Sequence, residues 1–237
     1  MFDSPERIVF NPSELLKKYD PDNKLERYYQ LLLEENKRLN LVSRETGDAC
    51  FIATDESAGY PLQDNVSRET GFARSIGQGS YAGLIKLAAQ SLLPLEIIKL
   101  DDIENYLDIG SGGGFPAIPI LLTQKVQQAT LVERTKKKAA ALRRILLALD
   151  LKADILSQSF EELSFEPLYD LITLRQVKLT SRLFKKIHTV MRTETVFIYY
   201  NATDIIPPEI STQKLTFEYT TSSDGPGGKF TIFRKRI

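Results

Sequence analysis

The residues with the most chemical potential in this sequence are Asp108-Ile109-Gly110-Ser111-Gly112-Gly113-Gly114-Phe115-Pro116. Tyr106-Leu107-Asp108-Ile109 reads as a buried parallel strand, and Ala117-Ile118-Pro119-Ile120-Leu121-Leu122 as the start of a helix. A strand that feeds a helix through glycines brings bare backbone N–H groups close to a ligand. The spacing is not the dinucleotide fingerprint G-x-G-x-x-G, because position 115 is Phe, and no Gly-Lys-Ser/Thr follows to make a phosphate loop. The alternative is a glycine turn that only packs a helix on a sheet. Three more residues stand where ligands of open α/β sheets bind. Glu133 lies twenty-one residues beyond Gly112, at the end of the next strand, where a carboxylate accepts hydrogen bonds from ribose hydroxyls. Otherwise it is a surface acid. Glu161, in Ser159-Phe160-Glu161-Glu162, follows the third strand, where a carboxylate and backbone can meet an adenine's amino edge; Glu-Glu pairs are also common on plain helices. Arg175 ends the fourth strand. It either orients a bound group or pairs with a nearby carboxylate.

The elements that position these residues are written in the hydrophobic pattern. From residue 101 onward strands and helices alternate, which predicts a parallel sheet covered on both faces. Strands are expected at 105–109, 130–133, 153–156, 169–174 and 195–200, with helices at 135–149 and 181–191. A closing hairpin at 215–219 and 229–234 turns through 222–228. Residues 101–237 are thus expected to form an α/β Rossmann-like domain. Residues 1–100 are expected to form an N-terminal helical cap: a short helix from Glu14 to Tyr19 capped by Ser13, a long one over 24–41, and a third over 81–92 stopped by Pro94. Between the last two lies a polar insertion at about 44–80, in which Val-Ser-Arg-Glu-Thr-Gly occurs at 42–47 and again at 66–71. Two copies are too few for a solenoid. The stretch is read either as a mobile lid over the cleft, with Arg44, Arg68 and Arg74 as cations and Phe72 or Tyr81 as a stacking surface, or as a surface loop remote from it.

Composition narrows the function classes. Hydrophobic content of 42% suffices for an ordinary core. No apolar run approaches the ~20 residues of a membrane helix, and no signal core follows Asp3 and Glu6, so a membrane or secreted protein is not expected. The single cysteine, Cys50, suits a reducing cytoplasm, and with one histidine, His188, no Cys/His zinc site or other metal centre is expected. No nucleophile motif accompanies His188, which reads as buried helix filler. The net charge of +0 hides a slightly acidic first hundred residues and a slightly basic remainder. Any polyanion site must therefore be a local patch. The best candidate is the helix after strand two, with Lys136, Lys137 and Arg143; a solvated basic face is the alternative.

Acid-x-G-x-G-x-G on a strand-to-helix turn resembles the first motif of S-adenosylmethionine-dependent methyltransferases. That donor has no pyrophosphate, so the glycines can admit its amino-acid end and Asp108 can meet its ammonium group. A narrower resemblance rests on Asn36-Lys37-x-x-Asn40-Leu41, the run from Tyr106 through Pro116-x-Ile118-Pro119, Leu131-Val132-Glu133, Glu161-Glu162 and Tyr169-Asp170 through Arg175. It is similar to the glucose-inhibited division protein B family, bacterial methyltransferases acting on N7 of one guanine in small-subunit ribosomal RNA. Gly-Phe-Pro-x-Ile-Pro is its most specific piece. The resemblance covers about 24–41 and 84–237. It implies S-adenosyl-L-methionine as cofactor and class I methyltransferase architecture. The implied cofactor contacts are Gly110, Phe115, Phe160, Glu161 and Arg175, to which the residues themselves add Asp108, Gly112, Gly114 and Glu133. The acceptor side departs from the family. The usual Arg/Lys-His-x-x-Asp-Ser reads Lys86-Leu87-Ala88-Ala89-Gln90-Ser91, and an Arg before the Glu161 pair is Ser159.

The expected function is thus methyl transfer to ribosomal RNA or the small ribosomal subunit by a cytoplasmic protein, with a monomer as the expected state. The catalytic residue is not identified; Arg175 is the candidate for positioning. Two other functions compete: a methyltransferase for another acceptor, and a non-catalytic donor- or RNA-binding module.

Overall fold

The computed structural model describes residues 6–20, 22–39, 41, 78–100, 102–164, 168–205, 212–221 and 227–235. Strand β1 (Glu6–Phe10) opens it, followed by helices α1 (Pro12–Tyr19), α2 (Lys24–Asn36) and α3 (Gln78–Ile98). Then come β2 (Ile103–Ile109), α4 (Ala117–Leu122), β3 (Val126–Val132), α5 (Lys136–Ala148) and β4 (Asp154–Leu156). A 3₁₀ turn at Phe160–Glu162 leads to β5 (Tyr169–Leu174), α6 (Ser181–Thr189), β6 (Met191–Tyr199), β7 (Thr212–Thr221) and β8 (Gly228–Lys235). The eight strands form one sheet in the order β1-β7-β8-β6-β5-β2-β3-β4. β8 runs antiparallel to both its neighbours; the other pairs are parallel.

The chain leaves β2 towards β3 and β4, then returns to β5 on the other side of β2. That reversal opens a crevice at the carboxyl ends of β2 and β5. Strand β2 borders both cores. Ile103 and Tyr106 pack with α1 to α5, whereas Leu107 and Ile109 pack with α6, Phe160 and Phe233. Leu84, Leu87, Ala88, Ala89, Leu92, Leu93 and Leu95 bury most of α3, as expected of a helix enclosed by its neighbours.

The helix boundaries differ from those expected. α1 starts at Pro12 because the Asn11 side chain accepts from the N–H groups of Ser13 and Glu14; Ser13 is not the cap. α2 ends at Asn36, five residues early, because Asn36 Oδ1 takes the N–H of Leu41 at 2.8 Å and turns the chain. Pro94 does not stop α3, which runs on to Ile98. Its missing N–H costs one bond to Gln90, and the burial of Leu92, Leu93 and Leu95 to 2% or less outweighs that loss. β1 was not expected; it is a five-residue edge strand paired with β7, in register Ile8 with Tyr219. Of the insertion expected at 44–80, residues 44–77 lie outside the described residues and 78–80 form the first turn of α3. Among the described residues no helix is long and apolar enough to cross a membrane.

Candidate functional site

Gly110, Gly112 and Gly114 carry φ values of 77°, 52° and 104°, a left-handed backbone that L side chains rarely adopt. The N–H groups of Gly110 and Ser111 both donate to the carbonyl of Val132, so the turn is pinned across to β3. A Cβ on Gly110 would lie 2.6 Å from Val177 Cγ2, and one on Gly114 2.6 Å from Ile118 Cδ1. One on Gly112 would meet nothing nearer than 3.7 Å. Gly110 and Gly114 are therefore fixed by packing as well as by backbone, whereas Gly112, where a Cβ would make only ordinary contacts with the Gly110 and Leu41 carbonyls, borders the space in front of the turn.

That space is a cavity of about 520 Å³, within the range of small-molecule sites. Its wall carries Gly110, Gly112, Phe115, Glu133, Phe160, Glu161 and Arg175. Gly114 and Asp108 are not on it. The fold also brings Leu41, Leu87, Arg134, Lys138, Ser159 and Val177 to the wall, none of which was singled out for it from the sequence. Leu41 was findable: Asn36-Lys37-x-x-Asn40-Leu41 is the segment whose first asparagine holds Leu41 in place.

Glu133 is 7% exposed and grips the glycine turn itself. Its Oε2 accepts from Gly112 N at 3.0 Å and its Oε1 from Thr135 N at 2.7 Å. A carboxylate has about four acceptor sites, so this one can hold the turn and still receive hydroxyls from the cavity.

Asp108 lies beneath the turn, 1% exposed. Its Oδ1 accepts from Thr173 Oγ1 at 2.6 Å, and Thr173 meets the Tyr106 hydroxyl at 2.8 Å. Its Oδ2 is buried with no partner among the described residues. Burial pushes the carboxyl up to about 6, against the lowering effects of Thr173 and Ser111. On the far side of the turn, the Tyr28 hydroxyl donates to Gly113 O at 2.9 Å and its ring lies 5.2 Å from that of Phe115. The helical segment therefore braces the turn from behind.

Arg175 makes no ion pair among the described residues, contrary to one of the two expectations for it. Its Nη1 donates to Leu87 O at 3.4 Å and Ser91 Oγ at 3.3 Å, and its Nη2 to Gln90 Oε1 at 3.0 Å. The guanidinium sits 5.5 Å from the Tyr200 ring centroid, and the Tyr200 hydroxyl donates to Ser91 O. The two α3 residues that depart from the family pattern, Leu87 and Gln90, hold Arg175 together with Ser91, which keeps to it.

Phe160 is 3% exposed. Beside it the Ser159 hydroxyl donates to Glu161 Oε2 at 2.7 Å and holds that carboxyl below its usual range, helped by the charges of Arg182 and Arg134. The basic helix divides. Arg134 and Lys138 reach the cavity wall, while Lys136 and Lys137 are exposed outside it. Arg143 is not on the cavity side; its Nη2 donates to Ile155 O at 2.7 Å beside edge strand β4. Arg144 forms a bidentate pair with Glu35 of α2, both bonds 2.6 Å. His188, on α6 itself, is buried with its ring Nε2 3.4 Å from Thr212 Oγ1.

A model of the family described as rRNA small subunit methyltransferase G (GidB) matches residues 84–223. Among curated relatives, ribosomal RNA small subunit methyltransferase G of Helicobacter acinonychis is 38% identical over 111 residues, 46% of this chain and 61% of that protein. The Dictyoglomus thermophilum protein of the same name is 29% identical over 160 residues, 66% of this chain and 53% of its own length. The chain thus spans about three fifths of the length of the first of these relatives. A solved structure of a Klebsiella pneumoniae protein assigned as an O-methyltransferase superposes with a TM-score of 0.55 at 15% identity, covering 95% of this chain and 96% of that one. The architecture is that of the class I methyltransferases.

Proposed function

The chain belongs to the rRNA small subunit methyltransferase G family, and on that premise we propose that it is an S-adenosylmethionine-dependent methyltransferase acting on N7 of a guanine in small-subunit ribosomal RNA. The observation that carries this reading is the bond from Gly112 N to Glu133 Oε2, which joins the glycine turn and the β3 acid into one wall of the cavity. The residues fit the donor. Gly112 leaves room where the backbone must be approached, and Glu133 has acceptor capacity for ribose hydroxyls. Asp108 lies beneath the turn and off the wall, so it supports the turn rather than meeting a ligand, while Phe160 and Glu161 suit an adenine's face and amino edge. When bound, the donor supplies an electrophilic methyl group on sulfur. The chain's own work is alignment and exclusion of water. Guanine N7 offers a lone pair and no proton, so no general base is needed, in keeping with the position of His188 away from the cavity. The cations Arg134 and Lys138 on the wall, with Lys136 and Lys137 beyond it, suit phosphates of the acceptor. We further read the protein as a cytoplasmic monomer, with α1, α2 and α3 serving as a helical cap on the domain of 101–237, to whose sheet β1 adds an edge strand.

A second reading, methyl transfer to a different acceptor, is favoured by Leu87 on the cavity wall and Gln90 behind Arg175, where the family pattern has His and Asp. One experiment separates the two. Ribosomal RNA and whole-cell RNA from a strain lacking this protein are incubated with the enzyme and tritiated methyl donor, and the labelled base is mapped. Label at a guanine N7 of small-subunit RNA supports the first reading, and label confined to other RNA the second. Absence of any label with intact donor binding would leave the non-catalytic module.

A further inference from the structure

We infer that the acceptor strand seats its phosphates on both flanks of the cavity mouth, on Arg134 and Lys138 at one side and on Lys178 and Arg182 at the other, with one base turned inward between them. The inference rests on the RNA acceptor proposed above. Strand order sets the geometry. β2 and its glycine turn lie between β3 and β5, whose ends are two strand spacings apart, about 10 Å. The chain leaving β3 carries Arg134 into α5, and the chain leaving β5 carries Lys178 and then Arg182 into α6. Arg134, Lys138 and Lys178 are on the cavity wall. Val177, beside Lys178, abuts the turn at Gly110, and Leu183, beside Arg182, is on the wall. α5 packs into one core and α6 into the other, so the two pairs of cations come from opposite faces of the sheet.

The placement of these charges works against the helices that bear them. The amino-terminal end of a helix is its positive end and favours acids. α1 and α2 obey that rule with Glu14 and Glu26 in their first turns, away from the wall. α5 begins Lys136-Lys137-Lys138 and α6 has Arg182 in its first turn, with no acid in either. Among the described residues none of the four rim cations has a carboxylate within 4.0 Å. Glu161 is the acid on this part of the wall; the Ser159 hydroxyl holds its carboxyl below the usual range, helped by the charges of Arg182 and Arg134. Both arginines thus stand near one wall residue although they leave different strands. Cations that weaken their own helices and form no ion pair within the described chain suit phosphates outside it. A base that reaches the donor from a continuous strand has one phosphate before it and one after, so both flanks must receive charge.

The test measures binding of small-subunit ribosomal RNA over a series of salt concentrations. Wild type is compared with Lys178→Ala/Arg182→Ala, with Arg134→Ala/Lys138→Ala, and with Lys17→Ala/Lys152→Ala, which removes the same charge at exposed positions off the wall. The Lys178/Arg182 variant should lower the salt slope by roughly one per lost contact, as the Arg134/Lys138 variant does, and the quadruple variant should lose the sum. Its affinity for S-adenosylhomocysteine should stay within about twofold. Its Tm should hold or rise, because cations have left a helix amino terminus. A wild-type slope in the Lys178/Arg182 variant, or an equal drop in the control pair, would overturn the inference and leave the RNA reading intact. So would a fall in Tm or in S-adenosylhomocysteine affinity, which would return the two residues to the fold or to the donor. A wild-type chain with no affinity for the RNA would overturn this inference and the acceptor reading together.

Discussion

At the scale of single residues, the site is built from groups that serve the fold and the cavity at once, and substitutions should separate the two roles. Glu133 holds two backbone N–H groups. Glu133→Gln presents an NH₂ to one of them, so the turn loses an acceptor along with the charge. S-adenosylhomocysteine affinity should fall about tenfold or more; unchanged affinity in calorimetry would detach this residue from the ribose. Gly110→Ala forces a side chain into a φ of 77° and against Val177. It should lower both Tm and ligand affinity; Gly112→Ala, strained by its own φ of 52° but with its Cβ no nearer than 3.7 Å to any neighbour, should cost less Tm for a comparable loss of affinity. Asp108 gives a dependence on pH. Folding raises its carboxyl from 3.8 to about 6, so the folded chain holds this proton more tightly than the unfolded one. Its contribution is full below about pH 4 and is lost as pH rises through 6, by at most roughly 3 kcal/mol. In the ligand-free chain, Asp108→Asn should therefore flatten the decline in Tm between pH 4 and pH 8; parallel curves for the two proteins would contradict this.

At the scale of elements, α5 has two ends with different work. Its amino-terminal approach brings Arg134 and Lys138 to the cavity, while Arg143 and Arg144 near its other end fasten Ile155 and Glu35. Replacing Arg134 and Lys138 by alanine should reduce the salt slope of RNA binding by roughly one per lost phosphate contact. Arg143→Ala should leave that slope unchanged and cost stability instead, as read by urea unfolding. The sequence could not make this division, because a basic helix face looks uniform until its neighbours are known. The parallel strands and the glycine turn were legible because each rests on local pattern: a short apolar run or an obligatory positive φ. β5 was read to the residue for that reason. What escaped was set by distant partners. β1 is a strand because β7 lies beside it, and Pro94 stays helical because buried leucines on both sides hold α3 in place. Arg175 was read correctly to a strand end, but its partners on α3 lie more than eighty residues away.

At the scale of the whole molecule, one core runs from the N-terminal helices into the sheet. Leu25, Tyr28, Tyr29 and Leu32 are buried in the same cluster as Ile118, Leu131 and Ile198. Residues 101–237 expressed alone would expose that surface and lose the Tyr28 brace on Gly113. Such a piece should unfold without a sharp transition, while the full chain melts cooperatively; a piece that folds and binds donor would show the helices to be dispensable. The pairing of β1 with β7 adds a matter of timing. Ile8 is matched with Tyr219, so the first of the described strands to leave the ribosome finds its partner β7 only about two hundred residues later. At ~5–20 residues per second, that is a wait of roughly 10–40 s. During that interval Ile8, Val9 and Phe10 form a short sticky tract on a growing chain. Shielding it until β7 emerges is work for whatever meets nascent polypeptides in the cell.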